Sequence, residues 1–519
     1  MATVSPPKPL TGPQPVQRLA LVVACVLVVL ASFRLATSGG GTQTIGAIFG
    51  LIGGVMVVRR PVFGIMIYLT TFLFTYPSWL RGIGNFTINN MLGLMLLPLM
   101  GYGMLREGSA WLIKWRPMVL LAAIVGTMIV SGWFYTPSGD AGVTPEAQRI
   151  QTSRRAQGPA LISTRDASAK FLTRFVFLTF FVFFVRTPRD AKLAAGTIIA
   201  CLLMTYFSVS TAEGELGWGT GRLRVIGQGG LGVYAGRNPN KLAYFALLCL
   251  TILWYARRGI KNPMLYPFWF VTTALTAAMI PMTGSRSGLL NFLVFLSVLL
   301  MEGKFNYRKV AGLAMVTILV TLQLGFDVSV VDLVFPEDTA TRLTRFDVRQ
   351  EALSLGMEAR GSAEGRIRTM QSAIRIFALH PVAGVGIGNF NLERSVTDPF
   401  GTVGPPHNSY LWALAEGGLI TFSLYMTFFI WAFRQIRDIE WEYEARFGPV
   451  GLGWMVSAMR TGLIGFMFFS FFADMWHHVM FYILMGLVLS VIRMHQVYAE
   501  TGQVPEAFRL GKPIERPRM

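Results

Sequence analysis

The stretch GPPHNSYLWALAEGGLI, residues 404–420, places a histidine directly before an apolar run. His407 is one of five histidines in a chain of 519 residues. An imidazole titrates near neutral pH and can take a proton from a hydroxyl group, so His407 is a candidate general base. The alternative is structural: His407 begins the first turn of the following helix, with Asn408 or Ser409 as the helix cap.

Glu416 lies nine residues after His407, inside the same apolar run. If the run is helical, the carboxylate is roughly 13 Å deeper than the imidazole. A carboxylate at that depth needs a partner or water. We interpret Glu416 as part of the polar lining of a bundle, and a direct catalytic role is the alternative.

Arginine recurs in the loops that follow the seventh apolar run and lie on one face. The candidates are Arg222, Arg224, Arg237, Arg286, Arg366 and Arg368. Arginine suits a diphosphate because its planar fork makes bidentate charged hydrogen bonds and stays protonated when partly desolvated. The alternative for each arginine is snorkelling to phospholipid headgroups. For Arg286 we favour function, because the short turn TGSRSG holds its guanidinium at the mouth of two helices.

Other polar motifs are weaker. Asp474, His477 and His478 in ADMWHHV could bind a metal, but with Trp476 beside them we favour an interfacial belt. GVGIGNF, residues 384–390, lacks the flanking strand and helix of a dinucleotide fingerprint, and we interpret it as a flexible turn that brings a loop near substrate. The outer loops contain no paired-carboxylate motif, so neither a metal nor a cofactor is predicted.

The composition decides what kind of molecule holds these residues. Hydrophobic residues make up 53% of the chain, charged residues 14%, and the mean hydropathy is +0.50, which is typical of an integral membrane protein. The net charge of +19 comes from short basic loops, so anionic lipid rather than nucleic acid is the expected neighbour. The three cysteines lie inside apolar runs and predict no disulfide framework.

Apolar runs long enough to cross a bilayer as helices recur along nearly the whole chain. About fourteen candidate spans predict an all-α polytopic transmembrane helical bundle, with about 12–14 spans. The candidates are 19–36, 44–58, 61–77, 88–105, 117–135, 169–185, 190–209, 240–256, 264–282, 286–301, 309–326, 408–432, 455–473 and 477–493. The first run resembles a signal peptide, but it lacks a convincing cleavage site and we interpret it as an uncleaved anchor.

Short loops rich in Lys and Arg alternate along the chain and mark the cytoplasmic face. The basic pairs assigned to this face are Arg59 with Arg60, Lys114 with Arg116, Arg186 with Arg189, Arg257 with Arg258, Lys304 with Arg308, and Arg434 with Arg437. Both termini are then cytoplasmic. The opposite face receives the loops 136–168, 210–239, 283–288 and 327–407. Function is expected there, because long polar loops commonly carry sites.

The loop 327–407 contains a helical pattern of its own. The segment GRIRTMQSAIRIFALHP spaces Ile367, Met370, Ile374 and Phe377 along one face. This spacing predicts an amphipathic helix that lies on the membrane surface or over a cavity.

Four of these stretches, taken in order, resemble the O-antigen ligase and O-antigen polymerase group of bacterial inner-membrane glycosyltransferases. They are RVIGQGGLGVYAGRNPNKLAYFALL, MTGSRSGLLNFLV, GRIRTMQSAIRIFALHPVAGVGIGNF and PPHNSYLWALAEGGLI. The resemblance covers about residues 222–490, and its order and sidedness make it specific. Together with the candidate spans and the proline-rich ends, it predicts four parts of the chain. They are a disordered cytoplasmic tail, an N-terminal transmembrane bundle, an O-antigen ligase-like region that includes the loop 327–407, and a second cytoplasmic tail, at residues 1–17, 18–210, 211–493 and 494–519.

The resemblance implies a metal-independent, inverting transfer of a glycan from undecaprenyl diphosphate to an acceptor hydroxyl at the periplasmic face of the inner membrane. The essential arginines of the family match Arg224, Arg286 and Arg366, and its histidine matches His407. The stretch between Arg224 and NPN is long.

Two further arginines therefore stay open as the equivalent of Arg224, namely Arg222 and Arg237. Asn408 and Glu416 are supporting candidates. No cofactor is implied.

The acceptor stays open between a glycan repeat unit, a lipid A core and a protein hydroxyl. A surface polysaccharide polymerase, an O-antigen ligase and a protein O-oligosaccharyltransferase all fit this donor. The implied partners are the lipid-linked glycan, the acceptor, the lipid bilayer and polysaccharide-assembly proteins. A flippase is the alternative class, and it predicts midplane charges and internal repeats, of which the sequence shows neither convincingly.

Overall fold

The computed structural model describes residues 53–75, 88–106, 112, 115–135, 164–211, 232–233, 239–260, 262–283, 285–301, 358–397, 404–447, 453–475 and 478–501. Helices dominate these residues, which confirms the all-α polytopic fold. The helices are α1 (Pro61–Leu73), α2 (Ile88–Arg106), α3 (Arg116–Phe134), α4 (Thr164–Phe184), α5 (Pro188–Thr211), α6 (Pro239–Ala256), α7 (Leu265–Met282), α8 (Arg286–Met301), α9 (Glu358–Leu379), α10 (Phe390–Thr397), α11 (Ser409–Phe447), α12 (Gly453–Phe469) and α13 (Val479–Thr501). A 3₁₀ turn follows α6 at Arg257–Gly259, and β1 (Phe74–Thr75) pairs antiparallel with β2 (Gly232–Val233).

Local signals explain several helix starts. Proline is the first residue of α1, α5 and α6, where its missing N–H is one that a helix leaves unpaired in any case. Before α5, the Thr187 N–H donates to the Asp190 carboxylate and the Asp190 N–H donates to the Thr187 hydroxyl. This reciprocal pair of hydrogen bonds is a capping box, so the start of α5 is encoded locally.

Four described helices are long and apolar enough to cross a membrane, namely α3, α4, α11 over Ser409–Tyr443, and α13 over Val479–Ala499. Shorter apolar helices coincide with α1, α2, α7 and α8. The chain is therefore a multi-pass membrane protein. The predicted spans 19–36 and 309–326 lie outside the described residues, and the count of 12–14 spans stays a prediction. Helix α13 continues to Thr501, past residue 493, where the cytoplasmic tail was expected to begin.

One continuous apolar core joins most of the helices. Helix α6 packs on α7, α8 and α12, while α13 packs on α4, and α11 contacts α3, α9 and α12. A smaller apolar cluster joins α9, the segment 380–389, α10 and the first part of α11. Its members are Ala373, Ile376, Val385, Phe390 and Ala415. This second cluster holds α9 against the first part of α11.

Helix α11 is interrupted at Gly418, whose φ of 61° is non-helical. The segment 380–389 supplies the hydrogen bonds that the interruption breaks. The N–H groups of Leu419 and Ile420 donate to the carbonyls of Pro381 and Val382, at 2.8 and 3.2 Å. In return, the carbonyls of Ala415 and Glu416 accept from the N–H groups of Val385 and Gly386, at 3.0 and 2.7 Å. The helix can break inside an apolar bundle because its freed backbone groups are paired again.

The same contacts correct the interpretation of GVGIGNF as a flexible turn. Gly384, Gly386 and Gly388 all have positive φ, between 65° and 82°, and Val385 to Ile387 are buried. The Ile387 N–H donates to the Met128 carbonyl of α3, and the Ser131 hydroxyl donates to the Ala383 carbonyl. We call the segment 380–389, which joins α3, α9 and α11, the connector. Its buried part follows this path because glycines adopt positive φ readily, whereas other residues do so only with strain.

Candidate active site

His407 lies in the short segment 404–408 that leads into α11. It has φ 52°, and among the described residues it is the one non-glycine residue with positive φ. Asn408 caps the helix, because its side-chain oxygen accepts from the N–H groups of Tyr410 and Leu411, both at 3.0 Å. The helix start is therefore satisfied without the imidazole. An uncommon backbone conformation that the cap does not require favours a functional role for His407 over the structural alternative.

Ser409 fixes the segment before α11 against the segment between α12 and α13. Its hydroxyl donates to the Ala473 carbonyl at 2.7 Å and accepts from the Met475 N–H at 2.8 Å. Its own N–H donates to the Ser470 carbonyl at 2.8 Å. The residue between these contacts, Asp474, is consequently held beside His407.

Asp474 links His407 to Lys241. The His407 Nδ1 and an Asp474 oxygen are 3.9 Å apart, and the other Asp474 oxygen lies 3.1 Å from the Lys241 Nζ. Asp474 is 14% exposed and His407 30%, so the pair lies in a partly enclosed place that solvent can still enter. At 3.9 Å the carboxylate attracts the imidazole electrostatically and favours the tautomer with its proton on Nδ1, which leaves Nε2 free to act as a base.

Lys241 is near the start of α6, next to the turn that begins α8. The Ser285 hydroxyl donates to the Asn240 side-chain oxygen at 2.7 Å and accepts from the Gly288 N–H at 3.0 Å. A Cβ at Gly288 would lie 2.5 Å from the Cβ of Ala243, so only glycine lets the two helices approach this closely. Arg286 is the first residue of α8, directly after Ser285. Its side chain is outside the described part of the chain.

Three charges act on His407. Partial burial lowers its pKa below 6.5; the Asp474 carboxylate opposes that shift, and the positive charges of Arg366 and Lys241 add to it. The imidazole is therefore neutral at pH 7 and ready to accept a proton. With His407 neutral, Arg366, Lys241 and Asp474 sum to a net charge of +1. The N-termini of α6 and α8 add positive potential at the same place, as an anionic ligand requires.

The structure brings only some of the predicted residues together. His407 and Arg366 are close enough to interact, and Asn408 acts as the helix cap. Arg222, Arg224 and Arg237 lie outside the described residues.

Glu416 belongs to a different environment. It is 1% exposed, and its carboxylate accepts from the Gly388 N–H at 3.0 Å. We therefore assign it to the connector 380–389 rather than to the cluster around His407.

Of the three predicted metal ligands in ADMWHHV, Asp474 and His478 lie in the described part of the chain. Asp474 pairs with Lys241, and His478 is buried, with its Nδ1 3.4 Å from the Met480 N–H. No group of three His, Cys, Asp or Glu side chains that could hold a metal occurs in the described part of the chain. His477 and Trp476 lie outside it.

Sequence reasoning did not assign Lys241 and Asp474 to the site. Both stand at the border of an apolar helix: Lys241 in the first turn of α6, Asp474 five residues before α13. The sequence shows in each case a charged residue at the end of an apolar segment. This feature alone could not predict that the two residues pair, because the pairing depends on how α6, α11 and α13 pack.

Comparison with known protein families gives a match over part of the chain that contains the site. Residues 271–426 match the O-antigen ligase family. The matched segment runs from α7 to α11 and contains Arg286, Arg366 and His407, while Lys241 and Asp474 lie outside it. No curated protein matches the chain. The O-antigen ligase domain supports the predicted family resemblance, a membrane function of the ligase or polymerase type, glycosyl transfer as the reaction class, and a lipid-linked glycan and an acceptor as substrates.

Proposed function

We propose that this protein transfers a glycan from undecaprenyl diphosphate to an acceptor hydroxyl at the periplasmic face of the inner membrane. The observation that carries the proposal is the position of His407 beside Asp474, whose other carboxylate oxygen binds Lys241. Burial and the positive charges of Arg366 and Lys241 lower the pKa of His407, which favours the neutral base. A base next to a cationic pocket is the arrangement that displacement of a diphosphate leaving group requires.

In the proposed reaction His407 acts as the base, and the cationic residues bind the leaving group. Nε2 of His407 takes the proton of the acceptor hydroxyl while the oxygen attacks the anomeric carbon. The bond from that carbon to the diphosphate oxygen breaks, and its electron pair leaves with the diphosphate. Arg366, Lys241 and Arg286 stabilise the charge on the leaving group, and attack from the opposite side inverts the anomeric carbon. No step in this scheme needs a metal.

Asp474 acts on the base and not on the substrate. Its carboxylate orients the His407 ring and stabilises the imidazolium that forms during attack, while its bond to Lys241 keeps that carboxylate in place. Lys241 therefore serves both the base and the anionic donor.

The reaction is tested with purified protein in lipid nanodiscs and an undecaprenyl diphosphate-linked glycan. Released undecaprenyl diphosphate is measured, together with sugar gained by either a second lipid-linked glycan or lipid A core. Gain by the first acceptor identifies a polymerase, and gain by the second identifies a ligase. Release without either means that water took the glycan, and sugar gained by an added acceptor protein identifies a protein O-oligosaccharyltransferase. Movement of the intact donor across the bilayer without release would support a flippase and contradict the proposal.

The site assignment is tested in the same assay. His407→Asn removes the base but keeps a residue that tolerates positive φ, and we expect turnover to fall by at least about a hundredfold. Arg366→Ala removes one diphosphate contact and is expected to cost about 3 kcal/mol of barrier, again roughly a hundredfold. Arg434→Ala, near the opposite end of α11, is the control and should retain activity. Full turnover by a folded His407→Asn protein would refute the mechanism.

A further inference from the structure

Helix α9 presents a solvent-accessible apolar surface of known orientation. Ile367 and Ile374 are 56% and 53% exposed, and Gln371 and Ala378 are exposed beside them. At 100° per residue these four positions fall within an arc of roughly 60°. We call this arc the outer face of α9.

The rotation of α9 is fixed by its opposite side. Thr369, Ser372, Ala373 and Ile376 are buried, and the last two belong to the cluster that packs on Ala415 of α11. The predicted apolar stripe of Ile367, Met370, Ile374 and Phe377 is thus not the face that packs on α11. The outer face cannot turn inward without breaking this cluster.

The outer face continues onto a membrane span. After α9 the exposed chain includes Leu379 and Val382, and the Val382 carbonyl accepts from the Ile420 N–H. Leu419 and Ile420, 55% and 47% exposed, begin the part of α11 that follows the interruption. Because α11 is apolar enough to cross a membrane, its exposed apolar side contacts lipid. The exposed apolar surface of α9 therefore continues through Leu379 and Val382 to the exposed residues Leu419 and Ile420 of α11.

Charge on α9 also suits a lipid surface. Arg368 and Arg375 are exposed, seven residues apart, and both lie along one edge of the outer face. No Asp or Glu occurs between residues 366 and 382. Paired arginines beside an apolar arc allow the guanidinium groups to reach lipid phosphates while the isoleucines enter the acyl-chain boundary.

We infer that α9 is a membrane-anchoring helix that lies in the bilayer interface on the side of His407, with Ile367 and Ile374 among the acyl chains and Arg368 and Arg375 at lipid phosphates. Arg366 is on the other flank of α9, where its charge reaches His407. This inference concerns where α9 lies and does not depend on the reaction.

The experiment uses a nitroxide label at Ile374→Cys, and separately at Ile367→Cys, in protein whose native cysteines are replaced. Collision with oxygen, which concentrates in lipid, is compared with collision with a water-soluble nickel chelate. Ile430→Cys in the middle of α11 supplies the lipid reference, and Asp438→Cys, exposed near its end, supplies the aqueous reference. We expect both α9 labels to collide more with oxygen than with nickel, as at residue 430.

Two results would overturn the inference. Nickel collisions above oxygen collisions, as at residue 438, would place α9 in water. Low collision with both reagents at both α9 positions would show that protein covers the face. A further variant, Arg368→Gln with Arg375→Gln, should raise nickel collisions at residue 374 in phosphatidylglycerol nanodiscs, and no change would contradict the role of lipid phosphates. Single-species elution of each labelled protein separates these outcomes from misfolding.

Discussion

At the scale of single residues, the chemistry depends on how one imidazole is kept neutral. Burial and the charges of Arg366 and Lys241 lower the pKa of His407, and Asp474 raises it. These effects oppose one another, so replacing different neighbours shifts the pKa in opposite directions. These opposite shifts appear in the pH profile of activity only if His407 is the titrating base.

The pH dependence of kcat/KM follows from these signs. Activity should fall on the acid side as His407 becomes protonated, with a midpoint below 6.5. Asp474→Asn removes the charge that raises the pKa, so the acid limb should move to lower pH while the maximum also drops. Lys241→Met removes a charge that lowers the pKa, so its acid limb should move to higher pH. Profiles measured from pH 4.5 to 8.5 check both signs, and identical limbs in all three proteins would exclude His407 as the titrating base.

At the scale of elements, the interruption of α11 and the connector 380–389 act as one unit. The connector returns hydrogen bonds to the backbone freed at Gly418 and also carries the end of α9. The first part of α11 begins directly after His407, and α9 carries Arg366. The connector therefore sets the distance between His407, the proposed base, and Arg366, which is proposed to bind the diphosphate.

Gly386→Ala tests this unit. A Cβ at Gly386, where φ is 77°, would overlap the backbone of Gly132 in α3. Strain from positive φ and steric overlap together should cost about 3 kcal/mol and lower the apparent Tm in nanodiscs. Gly126→Ala is the matched control in α3, since a Cβ there meets nothing within 4 Å, and its Tm should stay the same or rise. Equal Tm values for the two variants would show that the connector is not tightly packed.

At the scale of the whole molecule, segments far apart in sequence meet at one end of the bundle. Lys241 lies in the first turn of α6, Asp474 lies between α12 and α13, and the segment 404–408 precedes α11. Arg434 and Arg437 lie near the opposite end of α11, where Arg460 binds Glu440 at 2.8 Å. The predicted sidedness places the first end in the periplasm and the second in the cytoplasm.

Chemical labelling tests that sidedness. A membrane-impermeant maleimide applied to intact spheroplasts should label Gly404→Cys, three residues before His407. Asp438→Cys, near the other end of α11, should be labelled only after the membrane is permeabilised. The reversed pattern would place His407 in the cytoplasm and overturn the periplasmic assignment. The two variants serve as controls for each other because both positions flank the same helix.

Much of the fold could be predicted because it depends on local composition. Runs such as 240–256 and 286–301 predict α6 and α8 almost to the residue, since an apolar run must form a helix to pair its backbone in lipid. His407 and Arg366 could be selected because their chemistry suits a diphosphate site wherever they lie. The wrong interpretation of residues 384–390 has an equally local cause: glycines suggest freedom, and only their neighbours show confinement.

The sequence by itself determined that this protein is a helical membrane protein with a histidine and several arginines at helix borders. Only the tertiary structure decided which of those charges meet. Asp474 and Lys241 belong to the candidate site because Ser409 binds the segment 470–475 and because the turn at Ser285 holds α6 against α8. Glu416, a predicted supporting residue, does not belong to this site because its carboxylate accepts a hydrogen bond from the Gly388 N–H. Helix formation is governed by neighbours along the chain, whereas an electrostatic site is governed by distances between segments that packing alone brings together.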